Sequence, residues 1–142
     1  MNELPSATLL TVSVSDPYAL HLVNDWAAAL AAGNLVELLA MYDEDAVLVP
    51  TFSSEILKGH ESLSVYFTSL MSYPNLEVGV HEEINQNCHE GHRAISGHYT
   101  FSWGADPENR TSKDARFTFA IEEEGSTWTI HAHHSSVNPG SE

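Results

Sequence analysis

The stretch DARFTFAIEEEGSTWTIHAHHSS, residues 114–136, decides the fold. Phe117, Phe119 and Ile121 alternate with Arg116, Thr118 and Ala120, and Trp128, Ile130 and Ala132 alternate with Thr129 and His131. A period of two places successive side chains on opposite faces of a strand, so both halves read as strands, with the turn between them at Gly125. Upstream, LEVGVHEEINQNC and HRAISGHYTFSW add two more strands, with turns at Glu90–Gly91 and at 104–113. Connections this short pair neighbours antiparallel.

Working towards the N-terminus, the period changes from two to that of a helix. In SDPYALHLVNDWAAALAAGN, Leu22, Val23, Trp26 and Leu30 form one apolar stripe. Ser15 or Asp16 suits the cap, Pro17 the first turn and Gly33 the stop. The alanine-rich run 27–32 reads as core. Asn34 caps a short second helix ending near Tyr42, and AVLVPTFSS follows as a strand whose Pro50 marks an edge or a bulge. HESLSVYFTSLMS makes a third helix, with Leu63, Tyr66, Phe67, Leu70 and Met71 on one face. Helices followed by a long antiparallel sheet define an α+β class. The expected architecture is a cone-shaped roll, with the N-terminal helices packed in a strongly curved antiparallel sheet.

The totals bound the function. A chain of 142 residues is expected to form one domain, 1–142 with its core at about 16–139. Such a domain buries roughly 68–70 % of its unfolded surface and needs no metal or disulfide staple. Cys88 is the one cysteine. No segment reads as a secretory signal or a membrane span, so a cytoplasmic location is the expectation. The net charge of −15 repels phosphate backbones and anionic lipid, which argues against nucleic-acid and membrane partners.

The terminal strand carries the densest chemistry. Parity from Trp128, Ile130 and Ala132 puts His134 and Ser136 on the inner face and sends His131, His133 and Ser135 outward, unless a bulge intervenes. His131-x-His133 is a spacing found in zinc sites, and His98 offers a third imidazole, but spacing fixes no fourth ligand. The reading here is a site without metal or other cofactor. The strands HYTFSW and RFTFAI carry more than solvent-facing residues on both faces, which predicts a homodimer through the convex side of the sheet.

In order along the chain, LVPTFSS, VYF, SGHYTFSW, ARFTFA and W-x-I-x-x-HHSS-x-x-P resemble the association-domain-like branch of the nuclear transport factor 2-like (SnoaL-like) superfamily, which has a cystatin-like cone fold. Within it the chain looks most like the iota-class carbonic anhydrases, which share a Leu-Pro-Thr segment and a terminal His-His-Ser-Ser-x-Met-Pro motif. Three positions depart: Asn138 stands at the methionine, and in TFSS Phe52 and Ser54 stand where valine and asparagine are usual. The resemblance covers roughly Asp16 to Pro139.

That resemblance implies metal-free hydration of carbon dioxide, with Thr51, Tyr66, His134 and Ser136 lining the pocket. An imidazole near neutrality would accept the proton, and the hydroxyls would orient water and stabilise the developing oxyanion. Tyr99 and Arg116 would bind the substrate, a bicarbonate-like anion. The same resemblance also implies two alternatives: a SnoaL-like cyclase, isomerase or non-catalytic binder of a small organic molecule, and an association module that assembles larger proteins.

Overall fold

The computed structural model of the protein describes residues 17–124 and 127–140, with side chains described from His21 onward except at Glu124. The expected caps Ser15 and Asp16 and the turn at Gly125 lie outside the described residues. Helix α1 (Pro17–Ala32) stops at Gly33, whose φ of 72° suits a residue without a Cβ. Helix α2 (Leu35–Ala40) is capped by Asn34, whose side-chain oxygen accepts the backbone N–H of Glu37 at 3.1 Å. Strands β1 (Tyr42–Val49) and β2 (Leu57–Lys58) precede helix α3 (His60–Met71). The long strands β3 (Glu77–His89), β4 (His92–Trp103), β5 (Thr111–Glu124) and β6 (Thr127–Val137) complete what is, among the described residues, one sheet of six strands.

Strand order is β2-β1-β6-β5-β4-β3. The four long strands pair antiparallel in sequence order, as their short connections predict, whereas β1 runs parallel to β6. This is the expected α+β roll, with the helices on the inner face of the sheet.

The aromatic residues of the sheet share that inner face. Tyr99, Phe101, Phe117, Phe119 and Ile121 are buried there with Leu22, Val23, Trp26 and Leu30 of α1 and Leu63, Phe67 and Leu70 of α3. Trp26 stacks on Tyr99 with centroids 5.3 Å apart and meets Phe119 edge-on at 5.6 Å. Of the apolar or aromatic groups expected on both faces, the aromatic rings of HYTFSW and RFTFAI lie on the inner face. Ala94, Ala120 and Ala132, which pair across β4, β5 and β6, lie instead on the outer face beside Thr118 and His134. The alanine run divides as well: Ala27 and Ala29 are buried, while Ala28, Ala31 and Ala32 are exposed. Only one side of α1 meets the sheet.

Candidate functional site

A bulge in β6 decides which histidine enters the cone. Ile130 pairs with Ile121 and Ala132 with Ala120, so His131 has no opposite number. One extra residue reverses the parity of everything after it. His133 and Ser135 are consequently buried, at 2 % and 3 % exposure, while His134 is exposed on the outer face. The expected placement of His134 and Ser136 in the pocket is corrected. His134 pairs with Thr118, and Ser136 pairs with Arg116, itself exposed on the outer face. Arg116 therefore offers no cation to the interior.

The other expected residues do come together. Trp26 Nε1–H donates to the Tyr42 hydroxyl at 2.9 Å, and that hydroxyl lies 2.8 Å from His133 Nδ1. On the far side of the ring, His133 Nε2 is 3.1 Å from the Tyr99 hydroxyl, which donates to Ser135 Oγ at 2.6 Å. Ser135 Oγ in turn hydrogen-bonds Thr51 Oγ1. Tyr66 stands beside Thr51, its phenol oxygen accepting the Phe52 N–H at 3.3 Å. Thr51 and Tyr99 thus belong to one hydrogen-bonded chain that starts at Trp26 of α1, and Tyr66 stands next to its Thr51 end. Sequence reading missed Trp26, Tyr42, His133 and Ser135 as members. The Trp26 position in an apolar stripe concealed its N–H, which needs a buried partner.

Burial sets the protonation of these groups. The His133 ring lies flat on Phe119 at 3.9 Å, with Trp26 edge-on at 5.2 Å. Desolvation, with a smaller contribution from nearby His134, lowers its pKa to about 3. At neutral pH it is an uncharged imidazole, and a weak base. Desolvation also raises the phenols of Tyr42 and Tyr99, and pushes Tyr66 up to about 12. All three remain neutral hydroxyls.

Two spaces adjoin the chain. The inner chamber, bounded by Trp26, Thr51, Tyr66, Tyr99, His133 and Ser135, has a volume of about 10 Å³, enough for about one water molecule. Outside it, between α3 and the 52–57 segment, lies a groove of about 430 Å³ lined by Phe52, Ser53, Glu55, Leu57, Tyr66 and Tyr73 among others. Tyr66 lines both spaces.

The expected pairing of His131 and His133 on one face is also corrected by the bulge. His131 hydrogen-bonds Glu122 outside the cone, while His133 points in. Among the described residues, no group of three or more His, Cys, Asp or Glu is arranged to hold a metal ion. A further feature the sequence concealed lies on β3. A register shift between Val80 and Glu82 turns Glu83 and Asn85 inward, where Glu83 Oε1 and both polar atoms of the Asn85 side chain lack partners among the described residues. Desolvation pushes the Glu83 carboxyl up to about 7.

The helices and the sheet enclose the polar groups of Tyr42, Tyr99, His133 and Ser135 among apolar side chains. The family model of the SnoaL-like domain matches residues 19–139, and the chain belongs to that family. Among solved structures, it is 29 % identical to a protein from Xanthomonas campestris described as a calcium/calmodulin dependent protein kinase II association domain. That match covers 85 % of this chain and 86 % of the other, with a TM-score of 0.77. A protein described as a scytalone dehydratase from Novosphingobium aromaticivorans shares the fold at 8 % identity and a TM-score of 0.78, covering 89 % and 85 % of the two chains. The hub homology domain of a kinase of the same type from Chlamydomonas reinhardtii does so at 16 % identity and 0.73, covering 88 % and 99 %. No curated protein matches the sequence. Among the described residues, no helix is long and apolar enough to cross a membrane.

Proposed function

We propose that the protein binds a small organic molecule in the groove between α3 and the 52–57 segment, with an acceptor atom of the ligand on the Tyr66 hydroxyl. The observation that carries this reading is the position of Tyr66: it borders the chamber that holds the buried hydrogen-bonded chain and also lines a groove of about 430 Å³. That volume falls in the range of about 300–1,000 Å³ usual for ligand pockets, and Phe52, Leu57 and Tyr73 give it the expected apolar lining. A chain of neutral hydroxyls and an imidazole can also polarise a bound carbonyl or pass a proton. This suits the isomerase or dehydratase chemistry proposed here as the second half of the reading.

Hydration of carbon dioxide, the activity suggested by the iota-class resemblance, finds less support. It needs a base strong enough to accept a proton from water, and His133 at about 3 is a poor one. It also gains nothing from Arg116 or His134, which lie outside the cone. The test of the groove is a titration of the intact protein with small aromatic ketones, followed by the NMR signals of Tyr66 and Tyr73. Saturable shifts that weaken in Tyr66→Phe support the groove; shifts confined to the outer sheet face would contradict it.

The homodimer proposed from the sequence is retained on a different observation. The flat row Ala94–Ala120–Ala132 on the outer face allows a second sheet to approach closely. Light scattering is expected to return twice the chain mass of 15.6 kDa, and a monomer mass at micromolar concentration would exclude it.

A further inference from the structure

The chain from Trp26 to Thr51 has a direction, and one residue sets it. An indole N–H can only donate, so the Tyr42 oxygen that receives it must send its own hydrogen elsewhere. The acceptor within reach is His133 Nδ1, at 2.8 Å. With Nδ1 accepting, the neutral ring carries its hydrogen on Nε2 and donates to Tyr99. Tyr99 then donates to Ser135, which leaves the Ser135 hydrogen for Thr51. Each hydroxyl accepts one bond and passes one on. Thr51, in the chamber beside Tyr66, then holds the last O–H hydrogen of the chain, and Tyr66, whose oxygen accepts the Phe52 N–H, has its own hydrogen to offer the groove. The opposite tautomer would leave the Tyr42 O–H without an acceptor in a buried site, disfavouring that form by about tenfold or more.

We propose that Trp26 is the positioning residue that orients this chain, holding His133 as the Nε2–H tautomer so that the site presents a hydroxyl donor and selects an uncharged ligand bearing a carbonyl-type acceptor. The part concerning the ligand rests on the groove reading above; the part concerning the tautomer does not. The charge of the site agrees with the ligand class. The residues lining the groove and the chamber include no Lys or Arg, and Glu55 on the groove rim repels an anion. His133 stays neutral because its burial opposes a charge.

The experiment has two arms, both on the full chain. In the first, ¹⁵N-labelled histidine NMR reads the tautomer of His133. The expected wild-type spectrum shows Nε2–H at a single site; in Trp26→Phe, which keeps a ring but loses the N–H, the preference falls by about tenfold or inverts. Tyr42→Phe should relax the tautomer in the same way, which guards against a folding defect in the first variant. A wild-type His133 protonated on Nδ1, or two folded variants with unchanged tautomers, would overturn the proposal. In the second arm, acetophenone and benzoate, similar in shape but unlike in charge, are titrated against Tyr66. Acetophenone is expected to bind at least about tenfold more tightly, the effect of one good hydrogen bond without charge repulsion. Benzoate binding as well or better would overturn the ligand class. Binding of neither would remove the groove reading and the ligand class with it, and leave the tautomer to be decided by the first arm.

Discussion

Ser135 and Ser136 are adjacent in sequence and opposite in environment. Ser135 takes the hydrogen of Tyr99 and bonds Thr51 inside the cone, whereas Ser136 pairs with Arg116 on the outer face. Ser135→Ala removes a partner from two hydroxyls, so a loss of about 1–3 kcal/mol of stability is expected. Ser136→Ala should stay within about 0.5 kcal/mol of the wild type, as outer-face substitutions usually do. Urea denaturation of the two variants measures both. A larger loss at Ser136 than at Ser135 would mean that the strand faces the other way.

At the scale of elements, period reveals helices and strands but not where a strand gains a residue. The stripe Leu22–Val23–Trp26–Leu30 is buried as its spacing predicts, and so are Leu63, Phe67 and Leu70. Tyr66 and Tyr99 meet because they lie on elements whose faces were legible, and Thr51 joins them from the turn after β1. The two bulges were not. Ala132 is small enough to suit either face, so the pattern Trp128–Ile130–Ala132 continued smoothly on the wrong parity and hid His133. In β3 the alternation of Val78 and Val80 likewise gave no sign that Glu83 and Asn85 turn inward after His81. Bulges are fixed by cross-strand packing, here by the ring of Phe119 under His133, and that information is not local. The β3 bulge has a consequence on its neighbour. A Cβ at Gly97 would run into the Glu82 carbonyl and meet the Phe117 ring at 2.9 Å. Gly97→Ala is expected to cost about 3 kcal/mol, read as a fall in the thermal midpoint. A midpoint equal to that of the wild type would place β3 and β4 further apart than described.

At the scale of the whole molecule, two buried groups tie stability to pH in opposite senses. His133 is a weaker base in the fold, at about 3, than in the unfolded chain, where 6.5 is ordinary. Its contribution is fully present above 6.5 and is lost as acid protonates the unfolded chain, at about 1.4 kcal/mol per pH unit down towards 3. Glu83 has its carboxyl raised from 4.5 to about 7, so its contribution is present below 4.5 and is lost as pH rises towards 7. The two oppose one another between 4.5 and 6.5. Glu83→Gln removes one of them, and its unfolding free energy should fall more steeply with acid across that window than that of the wild type. Parallel slopes would show that Glu83 keeps an ordinary carboxyl.

The orientation of His133 is the claim on which the chamber and the hydrogen-bonded chain depend. Its most direct test is an NMR titration of the assigned His133 ring from about pH 8 to about pH 4, across the range in which an exposed imidazole gains its proton. An inward His133, sealed between Phe119 and Trp26, keeps the spectrum of one neutral ring throughout, because its pKa lies near 3. A titration of His133 with a midpoint near the ordinary 6.5 would put the imidazole in solvent and contradict the account.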